Sequence, residues 1–387
     1  MAAITRTRVL KCDSESITFS ASGAKPIYSD PETEKAITFA VEHLTQGHVV
    51  AFPTETVYGL GAIALDASAA TKIFSTKGRP SDNPLIVHIS SLSMLSSLLP
   101  PSYTPSPAYT TLMRTFWPGP LTLLFPADPS RVPKIITAGH PTVAVRMPAH
   151  PVARALIAAT GTPIAAPSAN ASGKPSPTRA SHVLRDLGTS GRLPLLLDGG
   201  FCGVGLESTV VDGLGADGAL RVLRPGGATV EALVAALADL DLESETSPKM
   251  RVLVHQRDFV LDEREQDAPT TPGMKYRHYA PGVPVTLLYT TTLPSESATR
   301  RKSSRVNPDD SPLLARARLE KVRWLTFPLG ESSEPACAAQ RLFEGLLSLE
   351  EQGVERIYVE EIPEEHEGLA FMNRVKKAAA MSLRIEI

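Results

Sequence analysis

Val49-Val50-Ala51-Phe52-Pro53-Thr54-Glu55-Thr56-Val57-Tyr58-Gly59-Leu60-Gly61 is the stretch on which the reading of this chain turns. Its first four residues are all apolar, as a strand buried on both faces requires. A proline, two threonines, a glutamate, a tyrosine and two glycines follow directly. A turn closing a hairpin is the plainer reading, but a turn needs only one or two such residues. Hydroxyls beside glycines at a strand end can hold a small polar ligand close to the backbone.

Upstream, Asp30 can cap a helix with Pro31 at its first position. Ile37, Ala40, Val41 and Leu44 recur at helical spacing, and Gly47 stops it. Downstream, a second helix runs from a cap at Asp66 to Gly78, and 85–89 reads as a strand. Further strands are expected at 121–125, 143–147, 163–166, 195–198, 209–212 and 220–223, with a helix at 151–160. Strands alternate with helices, but hairpin-like pairs intervene. The fold class is therefore α/β with a mixed, twisted sheet, not a regular parallel one.

The text changes near residue 239 and stays polar to about 281, which reads as a linker in which 252–254 could pair briefly. A second unit then shows strands at 285–289, 322–327 and 357–359. Helices at 335–349 and 368–381 follow the last two of these, a βαβα pattern of a small Rossmann-like parallel domain. Residues 295–311, rich in Ser, Arg, Asp and Pro, read as a loop. The division is an extension over 1–30, a catalytic domain over 31–238, a linker or lid over 239–282 and a small α/β domain over 283–387.

With 387 residues, 42% hydrophobic and 21% charged, the chain can bury a sizeable core. Its net charge of −2 argues against nucleic-acid binding by the whole chain. The charge is uneven, however. From Val50 to Gly226 there are 14 Lys and Arg against 9 Asp and Glu, a surplus of 5, which leaves −7 for the rest. A basic domain inside an acidic chain suits an anionic small ligand, or one face for RNA. The 3 cysteines, Cys12, Cys202 and Cys337, form no CxxC pair, so neither a zinc site nor a disulfide framework is expected and the compartment reads as reducing and cytoplasmic. No apolar run reaches membrane-spanning length. Arg6, Arg8 and Lys11 give the first residues only a weak mitochondrial-presequence character.

No Walker loop and no nucleophile elbow is present. Gly59–Ala64 matches a dinucleotide fingerprint in form, but an extended segment follows where a helix should open. In Lys77-Gly78-Arg79-Pro80-Ser81-Asp82-Asn83-Pro84, cations at a helix C-terminus are common. Here two of them flank a glycine in a loop stiffened by two prolines, which fixes their charges as a triphosphate requires. His88 alone would more often be a satisfied core histidine. Arg146 ends the strand 142–146, where beside a cleft its fork can clamp a carboxylate. Pro167-Ser168-Ala169-Asn170-Ala171-Ser172-Gly173-Lys174-Pro175-Ser176-Pro177-Thr178 offers donors for a nucleotide just ahead of a helix N-terminus. Gly203–Asp212 and Leu223–Gly226 each place a polar group at a sheet edge beside glycine.

In this order, PTETVYGLG, KGRP..NPLIVHI, WPGPLTL, VAVRMP.HPVA..LI, PIAAPSAN.SG.PSPT, GLESTVVD, LRPG and PGMKYRHYAP resemble the YrdC-like threonylcarbamoyl-AMP synthases in their longer two-domain form. The match is continuous over about 47–226, with 272–281 in addition. The last hundred residues match only in coarse pattern, and the first forty are not explained by it.

The resemblance implies a reaction of L-threonine, bicarbonate and ATP giving threonylcarbamoyl-AMP and pyrophosphate, for the threonylcarbamoyl-adenosine of tRNA. It implies Thr54, Tyr58, His88, Arg146 and Ser208 around threonine. Lys77, Arg79, Ser81, Thr142, Ala166, Ser168, Asn170, Ser176, Arg224 and Tyr279 would surround ATP, with Lys77 and Arg79 as the catalytic cations. Magnesium is expected on the phosphates, with no metal ligands from the chain. The downstream partner would be the machinery that transfers threonylcarbamoyl to tRNA. Two other readings are kept. One is a double-stranded RNA or tRNA-binding module without catalysis, for which the SAN and KGR loops would be surplus. The other is a carbamoyl transferase of hydrogenase maturation, whose cysteine fingers and acylphosphatase segment this chain lacks.

Overall fold

Asp30 accepts from the backbone N–H groups of Glu32 and Thr33 and so starts the helix Pro31–Thr45; its apolar stripe Ile37, Ala40 and Leu44 is buried. Asp66 caps Ala67–Lys77 in the same way, and Gly78 ends it in the left-handed region at φ 63°. The computed structural model of the chain describes residues 6–20, 25–242, 251–261, 278–291, 323–331 and 333–386.

The strands in chain order are β1 (Arg8–Lys11), β2 (Ile17–Phe19), β3 (Pro26–Tyr28), β4 (Val50–Phe52), β5 (Gly59–Ile63), β6 (Ile86–His88), β7 (Leu121–Pro126) and β8 (Thr142–Arg146). They continue with β9 (Ile164–Ala165), β10 (Leu195–Asp198), β11 (Thr209–Asp212), β12 (Leu220–Arg224), β13 (Val252–Val254), β14 (Val285–Thr291), β15 (Ile357–Glu360) and β16 (Ala379–Glu386). Eleven form one sheet in the order β1-β10-β4-β5-β9-β6-β8-β7-β11-β12-β13. Parallel and antiparallel neighbours mix along it, as the interleaved hairpins predict.

The uniformly apolar β4 is explained by burial on both faces. Val50 and Phe52 pack with the helices Pro31–Thr45 and Pro151–Thr160 in one core, while Val49 and Ala51 belong to the core on the opposite face. Both ends of the chain's first half extend the sheet. β1 pairs parallel with β10, so the stretch set apart as an extension supplies an edge strand. Val252–Val254 pairs parallel with β12 at the other edge.

In the second domain β14 lies between β15 and β16, both parallel to it. Two expectations are corrected here. Residues 323–327 form no strand, and the third strand is β16, where helix was expected to run on to 381. The helix Glu367–Ala378 stops short because pairing with β14 overrides the helix preference of Ala379 and Ala380. The expected loop 295–311, residue 322, and positions 272–277 of the linker motif lie outside the described residues.

The helix Pro335–Glu351 docks the second domain onto the first. Gly205 sits at φ 75°, and a Cβ there would stand 2.2 Å from the Gln340 carbonyl oxygen. Lys174, Arg179 and Arg185 pair with Glu350, Glu344 and Glu351 at 3.3, 2.6 and 2.9 Å. Part of the first domain's basic surplus therefore faces its own acidic partner domain, which weakens the reading of that surplus as an RNA face.

Candidate active site

The site is built where strand ends meet. β6 and β8 run parallel with His88 opposite Arg146, and antiparallel β7 sets Thr122 opposite Arg146 on the other side. The hydroxyl of Thr122 lies 2.7 Å from that of Ser208, just ahead of β11. His88, Arg146 and Thr122 are thus held by sheet register, and Ser208 is held against Thr122 at the start of β11.

Around this row the loops close a narrow cleft lined from both sides by the motif residues. Thr54 organises the first loop: its hydroxyl donates to the Val57 carbonyl at 2.7 Å and accepts from the N–H groups of Thr56 and Val57 at 3.2 Å each. Arg146 is 4% exposed. It donates to Gly119 O at 3.1 Å and Thr56 Oγ1 at 2.8 Å, and it is paired with the Glu55 carboxylate. Glu55 also accepts from the Ala149 N–H at 2.9 Å.

At the other end Lys77, 4% exposed, donates to the carbonyls of Ser168 and Asn170 and so ties the KGR loop to the SAN loop. Arg79 donates to Asn83 O and Pro84 O at 3.3 and 3.0 Å, while its buried Nε has no partner. Asn170 Oδ1 is likewise buried without one. Arg224 donates to Ser208 O at 2.8 Å and Ser208 Oγ at 3.1 Å. Tyr279, at φ 67°, packs its ring 5.4 Å from that of Phe343 and forms part of the wall with His278.

The electrostatics follow from burial. Burial, with Arg79 nearby, pushes the Lys77 pKa well down. Burial and Arg224 bring Arg79 to about 10. Burial and Arg146 lower His88 to about 3, so it is neutral, with Nδ1 3.2 Å from the Ile86 carbonyl. A proton on Nδ1 leaves Nε2 as an acceptor. Glu207 in the cleft and Glu55 beside it are each paired with an arginine, and the cleft-lining Lys174 is paired with Glu350. This charge distribution is built to receive an anion.

Twelve of the expected residues line the cleft: Thr54, Lys77, Arg79, His88, Arg146, Ala166, Ser168, Asn170, Ser176, Ser208, Arg224 and Tyr279. Three do not. Tyr58 points into the core behind the loop, its hydroxyl donating to Gly200 O at 2.7 Å, and it supports the site only through backbone bonds to Pro177 and Ala169. Ser81 is exposed on the loop. Thr142 starts β8 opposite Pro126, four residues and about 13 Å from Arg146. Not foreseen were Thr56, Lys174, Glu207 and His278. All four lie inside quoted motifs, and only their neighbours were singled out.

A family model described as "Telomere recombination" matches residues 42–226, and one described as "Threonylcarbamoyl-AMP synthase, C-terminal domain" matches 229–380. The threonylcarbamoyl-AMP synthase of Bacillus subtilis is 40% identical over 358 residues, covering 91% of this chain and 94% of the relative.

The chain belongs to the threonylcarbamoyl-AMP synthase family.

The family's synthase from Schizosaccharomyces pombe is 40% identical over 392 residues, with 90% of each chain covered. The solved structure of P. abyssi Sua5 complexed with L-threonine superposes with a TM-score of 0.75 at 35% identity, covering 98% of this chain and 100% of that one. Family membership thus extends through both domains. Among the described residues no helix is long and apolar enough to cross a membrane.

Proposed function

We propose that this cleft joins L-threonine, bicarbonate and ATP into threonylcarbamoyl-AMP, acting as a nucleotidyltransferase. The observation that carries the reading is the cation density. Lys77, Arg79, Arg146, Lys174 and Arg224 line one cleft, whose nearby carboxylates Glu55 and Glu207 are each held by an arginine. The threonine amine and bicarbonate condense to a carbamate with loss of water. A carbamate oxygen then attacks the α-phosphorus, and the bond to pyrophosphate breaks.

Such a displacement needs positioning and charge neutralisation, not a covalent nucleophile. Lys77, Arg79 and Arg224 would meet the charge that develops on the leaving pyrophosphate. Arg146 would hold the threonine carboxylate. Neutral His88 would accept from the threonine hydroxyl, and Ile86, on the same face of β6, offers apolar surface for the methyl group. Magnesium would arrive on the ATP as part of the substrate. The product is a mixed anhydride, so an acyl transfer to adenosine in tRNA would consume it. The three separate thiols support a reducing, cytoplasmic setting. The test is pyrophosphate release, which should require L-threonine and bicarbonate together; release with either omitted contradicts the reading.

A further inference from the structure

The second domain reaches the wall of this cleft through Glu350, which pairs with Lys174, and through Arg374, which pairs with Glu207. The helix Glu367–Ala378 buries Ala370, Phe371, Val375 and Ala378, and Arg374 lies among them at 0% exposure. A guanidinium in an apolar stripe is costly unless it is paired; here Nε and Nη1 are paired, while Nη2 is buried without a hydrogen-bond partner. Arg374 Nε donates to Glu207 Oε2 at 3.0 Å, and Nη1 donates to the Pro225 carbonyl at 2.6 Å and to Asn373 Oδ1 at 3.0 Å. The other oxygen of Glu207 accepts a hydrogen bond from the Ser176 hydroxyl.

Glu207 and Ser176 line the cleft; Arg374 does not. Its two anchor points are the carboxylate that orients Ser176 and the carbonyl that follows Arg224, and both neighbours belong to the nucleotide end. Burial raises the Glu207 pKa, but Arg374, Arg224 and the Ser176 hydrogen bond together hold it below the ordinary value, so Glu207 is ionised. An ionised carboxylate in an anion-binding cleft would repel a triphosphate unless a fixed cation compensated it.

We propose that Arg374 is a positioning residue for the nucleotide: the second domain supplies the counter-charge that lets Glu207 hold Ser176 inside an anion-binding cleft. Nucleotide affinity then depends on domain docking, while threonine affinity does not. The inference rests on assigning this end of the cleft to ATP.

The test uses initial rates of pyrophosphate release by the full chain. Turnover of the unaltered protein with ATP, L-threonine and bicarbonate comes first; its absence would sink the ATP assignment itself. Given that turnover, Arg374→Met should raise the apparent KM for ATP by about a hundredfold and that for threonine by less than about threefold. The neutral pair Glu207→Gln with Arg374→Met should recover at least about tenfold of the lost ATP affinity, because it removes the unpaired carboxylate. If Arg374→Met does not fold, the neutral double variant decides alone. An ATP KM within about tenfold of the unaltered protein supports the proposal, and a larger loss overturns it. Equal rises in both constants, no rise in either, or a folded double variant no better than the single one also overturn it.

Discussion

Arg224 Nη2 donates to Ser208 Oγ at 3.1 Å, and this contact joins the two ends of the cleft. Ser208 also meets Thr122 in the strand row that carries Arg146 and His88. Ser208→Ala should therefore lower kcat/KM for ATP and for threonine together, each by about tenfold, the scale of one buried hydrogen bond. Steady-state kinetics with each substrate varied in turn will show it. A loss confined to one substrate would mean that the two ends act independently.

Lys77 is a buried structural tie as well as a charge. Lys77→Ala removes its bonds to the Ser168 and Asn170 carbonyls, so unfolding free energy should fall by about 1–3 kcal/mol. Activity should fall by about a hundredfold or more. Denaturant titration alongside turnover separates the two effects. Unchanged stability would show that the carbonyls find other partners.

Acid should destabilise the fold before its carboxylates titrate. His88 and His182 are held neutral by burial, with pKa values lowered from 6.5 to about 3 and about 4. Below pH 6.5 the unfolded chain takes up protons that the folded one refuses, so stability rises with pH between these folded values and 6.5 and is lost as pH falls. Each histidine contributes a slope of about 1.4 kcal/mol per pH unit. Urea midpoints at pH 7, 6 and 5 measure it, and His182→Gln should flatten the fall. A flat midpoint over that range contradicts the assignment.

The docking loop gives a fourth expectation. Gly205→Ala meets both a left-handed backbone, at φ 75°, and the Gln340 carbonyl at 2.2 Å. It should cost about 2–4 kcal/mol of unfolding free energy. Because the obstacle is backbone, truncating the Gln340 side chain should not relieve it. Relief by Gln340→Ala would show that the helix shifts freely.

The mixed sheet was legible because β4, β10, β11 and β12 carry strong local signals: apolar runs bounded by proline, glycine and turn residues. β16 was not, since Ala379 and Ala380 favour helix and only pairing with β14 decides otherwise. Charged and hydroxyl residues at strand ends identified most of the cleft. The direction in which a side chain points was not legible: Tyr58 sits between cleft-lining Val57 and Gly59 yet turns into the core. The carboxylate Glu207 was overlooked because its partner Arg374 is 167 residues away. A charge inside the apolar stripe of the last helix is the one local sign that it must find a buried partner.

The account stands most directly on the identity of the product. The intact chain should be incubated with ATP, magnesium, L-threonine and carbon-13 bicarbonate, and the products resolved by mass spectrometry. The account predicts an adenylate with the mass of threonylcarbamoyl-AMP carrying the heavy carbon, together with pyrophosphate. ADP and phosphate in place of pyrophosphate, or an adenylate without the label, would contradict it.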